Sequence, residues 1–136
     1  MLVDDFADLV DKAIALNKAN RKCGPSSAMF SPIAYAKQMC TVKLDIGRAV
    51  GKSTYIADHA TAKDIIIVPT LRHKSMMYLY YKDKNVVAYT EILGYRTSKP
   101  PYVNIYVDEI AGIDLDFIYN TFVDSTIAQT FIILGA

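Results

Sequence analysis

Apolar positions open the chain with a helical rhythm. Within residues 4–20, Phe6, Leu9, Val10, Ala13, Ile14 and Leu16 recur at intervals of three and four, which predicts a one-sided helix. Residues 21–31 hold Gly24, Pro25 and three serines and read as a loop or linker. Pro32 is suited to a first helical position, so a short helix is expected to about Gln38. The rhythm then changes. Val42, Leu44 and Ile46 alternate within 39–46, which predicts a strand, followed by a helix over 52–62.

Ile65, Ile66, Ile67 and Val68 form a continuous apolar run over 64–68. Such a run is expected of a parallel strand buried on both faces, and Pro69 ends it. A helix is expected over 71–81, a weak strand over 86–89, a helical turn over 90–93 and a loop over 97–101. Residues 102–107 are rich in β-branched and aromatic side chains and predict a strand. A helix over 115–125 and an apolar strand over 130–134 complete the pattern. Strands alternating with helices predict an α/β fold in three layers, a mostly parallel sheet with helices on both faces. At 136 residues the expectation is one domain, with 1–31 an N-terminal helix and linker and 32–136 the α/β core. An end two residues after a core strand suggests a shortened chain, or a reduced protein without a second domain.

Composition narrows the class. Hydrophobic residues are 52% and charged residues 21%, which excludes a disordered chain. The net charge of +1 argues against a surface that coats nucleic acid everywhere, while leaving room for a local basic patch. No apolar run nears the ~18 residues of a membrane span, and the acidic start at Asp4 and Asp5 lacks the basic region of a secretory signal. A cytoplasmic protein is expected. Cys23 and Cys40 fit no metal spacing and read as reduced thiols.

The chemistry concentrates in two places. Gly47, Arg48, Ala49, Val50, Gly51, Lys52, Ser53 and Thr54 lie between an expected strand and an expected helix. Phosphate oxygens need several converging donors. A loop of backbone N–H groups at a helix N-terminus supplies them, Lys52 reaches the β- and γ-phosphates, and the Ser53 hydroxyl ligates Mg²⁺. The strict spacing places a glycine five residues before Gly51, where this chain has Ile46; Gly47 comes one position late. The second place is the apolar strand that ends in Asp108 and Glu109. Ligands bind beyond the carboxyl ends of parallel strands, so both motifs are expected at one sheet edge. Asp108 is expected to hold Mg²⁺ and Glu109 to polarise an attacking water. Together they predict binding of a nucleoside triphosphate and its Mg²⁺-dependent hydrolysis.

The segment Asp45-Ile46-Gly47-Arg48-Ala49-Val50-Gly51-Lys52-Ser53-Thr54 resembles the deviant phosphate loop of large terminase subunits, the ATP-driven DNA-packaging motors of tailed phages. The stretch from Val103 to Asp116 is similar to that family's acidic strand and following turn. The run from Ile66 to Thr70 is similar to the second strand shared by terminases and helicases, and Thr130 to Gly135 to the strand before the coupling motif. The resemblance covers about residues 38–136. It implies a P-loop ATPase of the additional-strand class that acts on double-stranded DNA within a larger assembly, as a homo-oligomeric ring, in the host cytoplasm if viral. It further implies that Arg48 senses charge on the γ-phosphate and that Gln38 stands where the family reads adenine. The chain departs from the family in its compact spacing of about 55 residues between loop and acidic pair, and in the absence of a nuclease domain.

Other features read as structural. Arg72, His73 and Lys74 are expected on a solvated helix face, and Arg96 and Lys99 with Tyr95 in a surface loop. His59 and His73 lack metal-ligand company. Tyr78, Tyr80 and Tyr81 are expected to pack amphipathically. A small-molecule kinase is disfavoured because no arginine-rich lid segment is present. A GTPase is disfavoured because Asn17-Lys18-Ala19-Asn20 precedes the loop and lacks the guanine-reading aspartate. Two classes stay open: a motor ATPase core, and a nucleotide-dependent binding or regulatory module or helicase-like fragment with little turnover.

Overall fold

A computed structural model describes residues 3–45, 51–93 and 101–135. Five parallel strands form one sheet in the order β1-β5-β4-β2-β3, where β1 is Thr41–Leu44, β2 Ile65–Val68, β3 Val86–Ala88, β4 Asn104–Asp108 and β5 Thr130–Leu134. Helices α1 (Val3–Cys23), α2 (Pro32–Met39), α3 (Lys52–His59), α4 (Leu71–Met76), α5 (Tyr89–Ile92) and α6 (Leu115–Phe122) flank it. The three-layer α/β expectation holds, and every pairing among the described strands is parallel.

Strand period two divides the apolar side chains between two cores. On one face Ile66, Val68, Tyr106, Ile132 and Leu134 pack with Phe6 and Val10 of α1 and Tyr55 and Ile56 of α3. On the other, Ile65, Ile67, Ile105, Val107, Phe131 and Ile133 pack with Ala36 of α2, Ile92 of α5, and Ile118, Tyr119 and Phe122 of α6. The all-apolar β2 and the fully buried β5 are the inner strands that their sequences imply.

Several boundaries differ from the sequence reading. Helix α1 continues through Arg21–Cys23, which were expected to be loop. The Arg21 guanidinium donates to the Gln129 carbonyl and to Thr130 Oγ1, both at 2.9 Å, and this anchors the last turn to the entrance of β5. Met39 closes α2, which Ser31 caps by accepting from the Ala34 N–H at 3.2 Å ahead of Pro32. Helix α3 stops at His59 and α6 at Phe122, both short of the expected ends. Tyr89 belongs to α5 rather than to β3.

Asp64 is expected to begin β2 but precedes it. Its buried carboxylate accepts from Thr61 N and Oγ1 at 2.8 and 3.1 Å, and from Asn104 N and Nδ2 at 3.0 and 3.1 Å. This network fixes where β2 and β4 enter the sheet. Helix α4 is the largest departure. It ends at Met76, and turns occupy the stretch expected to be helical to residue 81.

Candidate active site at the carboxyl edge of the sheet

The sheet brings the two motifs together although they are far apart in sequence. Leu44 of β1 pairs with Leu134 of β5, and Leu134 pairs with Asp108 of β4, so the three strand ends stand side by side. The pairing continues past the strands: the Glu109 N–H donates to the Leu134 carbonyl and the Gly135 N–H to the Leu44 carbonyl, both at 3.0 Å. Neighbouring strands are ~4.8 Å apart, so β5 separates the end of β1 from Asp108 by about 10 Å.

Gly51 precedes α3 with φ +95°, a left-handed geometry that glycine takes without a Cβ penalty. Lys52 and Ser53 then fall on the first turn. Ser53 Oγ donates to Asp108 Oδ2 at 3.0 Å across 55 residues of sequence. Lys52 Nζ lies 3.9 Å from Glu109 Oε2. Asp108 is buried as the last residue of β4, whereas Glu109 is partly exposed beyond the strand. Glu109 adopts φ +76°, which a non-glycine residue rarely holds. Its Oε1 is buried and has no hydrogen-bond partner among the described residues.

Gly135 completes the cradle. At φ +103° it leaves room for Lys52, and a Cβ there would stand 2.7 Å from Lys52 Nζ. The lysine ammonium therefore lies over the end of β5, between β1 and the acidic pair.

The structure thus gathers Gly51, Lys52, Ser53, Asp108 and Glu109, with Thr54 following on α3. Gly47, Arg48, Ala49 and Val50 lie outside the described residues, as do Tyr95, Arg96 and Lys99. Gln38 is not brought to this edge. It is exposed in the last turn of α2, before the amino end of β1, whereas the cluster lies beyond the carboxyl ends. Nor does a cavity of about 700 Å³ at the amino edge, lined by Arg21, Phe30, Tyr35, Cys40, Asn104 and Thr130 among others, include any predicted site residue.

Sequence reasoning missed Tyr81. Tyr78 and Tyr80 are largely exposed rather than packed as expected, while Tyr81 is only 4% exposed and its hydroxyl donates to Asp108 Oδ2. Burial, and next the adjacent Asp108 charge, push its pKa well above the ordinary tyrosine value, so it remains a donor. Nothing local distinguishes the third tyrosine of the run from the others. Helix α4 ends five residues earlier, at Met76, and the turn that follows carries Tyr81 inward.

The donor set bears on what metal the edge can take. Among the described residues no group of three or more His, Cys, Asp or Glu is placed to hold a metal ion by itself. A serine hydroxyl touching a buried carboxylate is instead the pair suited to Mg²⁺, which keeps several waters and takes further oxygens from substrate phosphates. The residues fit that ion delivered with a nucleotide. Among the described residues no helix is long and apolar enough to cross a membrane. No protein-family model matches this chain, and no curated protein matches it.

Proposed function

We propose that this protein binds a magnesium nucleoside triphosphate, ATP in the first instance, at the carboxyl edge of the sheet and hydrolyses it. The observation that carries the reading is the contact of Ser53 with Asp108 beside Lys52 and Glu109, at the junction of strand β1 with helix α3. Ser53 and Asp108 would hold Mg²⁺, which supplies charge neutralisation at the β- and γ-phosphate oxygens. Lys52 and the N–H groups at the start of α3 bind and orient the phosphates. Glu109 accepts a hydrogen bond from the attacking water and takes up its developing proton charge. Lys52 leans toward Glu109 across 3.9 Å, so a triphosphate that draws Lys52 away also frees Glu109 for water.

Strand β5 lies between β1, which leads into the phosphate loop, and β4, which ends in the acidic pair. That order supports a P-loop ATPase of the additional-strand class. With the motif resemblance it supports the ATPase core of a viral DNA-packaging motor, acting on double-stranded DNA in a ring of copies in the host cytoplasm. Arg48 is proposed to sense charge on the γ-phosphate, as the motif resemblance implies.

Phosphate release from ATP and Mg²⁺, with and without double-stranded DNA, tests the reading on wild type, Lys52→Ala and Glu109→Gln. The expected result is DNA-stimulated turnover that Lys52→Ala abolishes and Glu109→Gln lowers about 10²- to 10⁴-fold. ATP binding without turnover, lost in Lys52→Ala, would replace the motor with a nucleotide-dependent regulatory module. No binding by wild type would refute the site.

A further inference from the structure

We infer that Tyr81 is a positioning residue that aims the Asp108 carboxylate at the metal of a bound magnesium nucleotide; the inference rests on the nucleotide-binding reading above. Two donors converge on one oxygen of a buried carboxylate. Ser53 Oγ reaches Asp108 Oδ2 at 3.0 Å from the phosphate-loop side, and the Tyr81 hydroxyl reaches the same atom from the opposite segment of the chain. Ser53 has a second task once a metal arrives, because its hydroxyl is then drawn to the ion. Tyr81 has none. Its hydroxyl sits on a rigid ring with two rotatable bonds and is the donor that stays on Asp108 when Ser53 leaves.

The backbone around Tyr81 is shaped for this placement. Helix α4 ends at Met76, the Tyr81 N–H donates to the Met77 carbonyl at 3.0 Å, and the Tyr81 carbonyl accepts from the Lys84 N–H at 3.0 Å. Asp83 takes φ +66° within that turn. Leu79 and Tyr80, the residues immediately before, are 84% and 55% exposed, so the turn spends its apolar neighbours on solvent while it drives one tyrosine inward. The ring joins the core formed by α1, α3 and one face of the sheet, which fixes the hydroxyl relative to β4. Groups that hydrogen-bond a metal-ligating side chain orient it, and their removal typically weakens metal affinity by 10- to 100-fold.

The test is a Mg²⁺ titration of a fluorescent N-methylanthraniloyl ATP on the full chain, comparing wild type, Tyr81→Phe and Tyr55→Phe. Tyr55 is the internal control: it is another buried tyrosine that donates to a carboxylate, that of Asp11 on α1 at 2.6 Å, and not to Asp108. Tyr81→Phe keeps the ring and its packing. The expected result is a Mg²⁺ midpoint raised about 10- to 100-fold in Tyr81→Phe alone, nucleotide affinity in chelator unchanged, and turnover recovered at saturating Mg²⁺. An unchanged midpoint would overturn the inference, as would an equal rise in Tyr55→Phe, which would mark a general loss of packing. Failure of wild type to bind the nucleotide at all would instead refute the underlying site, so the two failures are distinguishable.

Discussion

Glu109 combines a proposed catalytic carboxylate with a backbone that carries a conformational penalty, and the two can be separated by comparing Glu109→Ala with Glu109→Gly. Both variants remove the carboxylate, the distant Lys52 contact at 3.9 Å and the buried Oε1. They differ only in the Cβ. At φ +76° an L-residue is disfavoured by about 1–2 kcal/mol, which glycine escapes. Glycine loses about 0.5–1 kcal/mol through its greater freedom in the unfolded chain. The balance favours Gly over Ala by about 0.5–1 kcal/mol, or about 2–5 °C in Tm for a chain of this size. Against wild type, both variants are expected to be less stable. The Lys52 and Glu109 side chains are only 13% and 27% exposed, so removing the carboxylate leaves a largely buried ammonium without that partner. Urea unfolding followed by circular dichroism, without nucleotide, measures all three. The reasoning is refuted if Gly is less stable than Ala, the order found in ordinary strand backbone. Loss of turnover in both variants would then show a site that keeps a destabilised backbone in exchange for a placed carboxylate.

Asp64→Ala should lower stability by about 2–3 kcal/mol, because two donors of exposed Thr61 and two of half-buried Asn104 lose a buried acceptor; a loss under about 1 kcal/mol in urea unfolding would contradict the network. Gly135→Ala should cost about 1–2 kcal/mol through its φ of +103° and should weaken ATP binding by displacing Lys52, read by melting and by nucleotide titration. Tyr55, Tyr81, Tyr106 and Tyr119 are held protonated above the ordinary tyrosine range, with burial the largest cause in each. The unfolded chain ionises these groups near pH 10 while the fold does not, so their contribution is complete below about pH 10 and declines as pH rises beyond it. Absorbance at 295 nm should show at least four of the ten tyrosines ionising only as the protein unfolds; ten reversible titrations near pH 10 would contradict this.

The strand and helix pattern was legible because burial on both faces demands apolar runs such as Ile65–Val68, and period two and period 3.6 are local properties of the chain. The motif residues Gly51, Lys52, Ser53, Asp108 and Glu109 were legible for a related reason: their chemistry is tied to a strand end or a helix start, and both are local. The ends of α1 and α4 were not, since a guanidinium reaching the entrance of β5 and a tyrosine reaching Asp108 decide them, and those partners are 109 and 27 residues away.

The same division accounts for the site as a whole. By itself the sequence determined that strands alternate with helices, that a glycine-bounded segment with Lys52 and Ser53 leads into a helix, and that two carboxylates end a strand. Only the tertiary structure decided that β5 enters between β1 and β4, that Ser53 touches Asp108 across 55 residues, that Gly135 leaves space for Lys52, and that Tyr81 turns inward. The physical reason is that periodicity and turn chemistry act over a few residues. Strand order, register and the partner of a buried hydroxyl are set by non-local packing and by the requirement that every buried polar group find a partner.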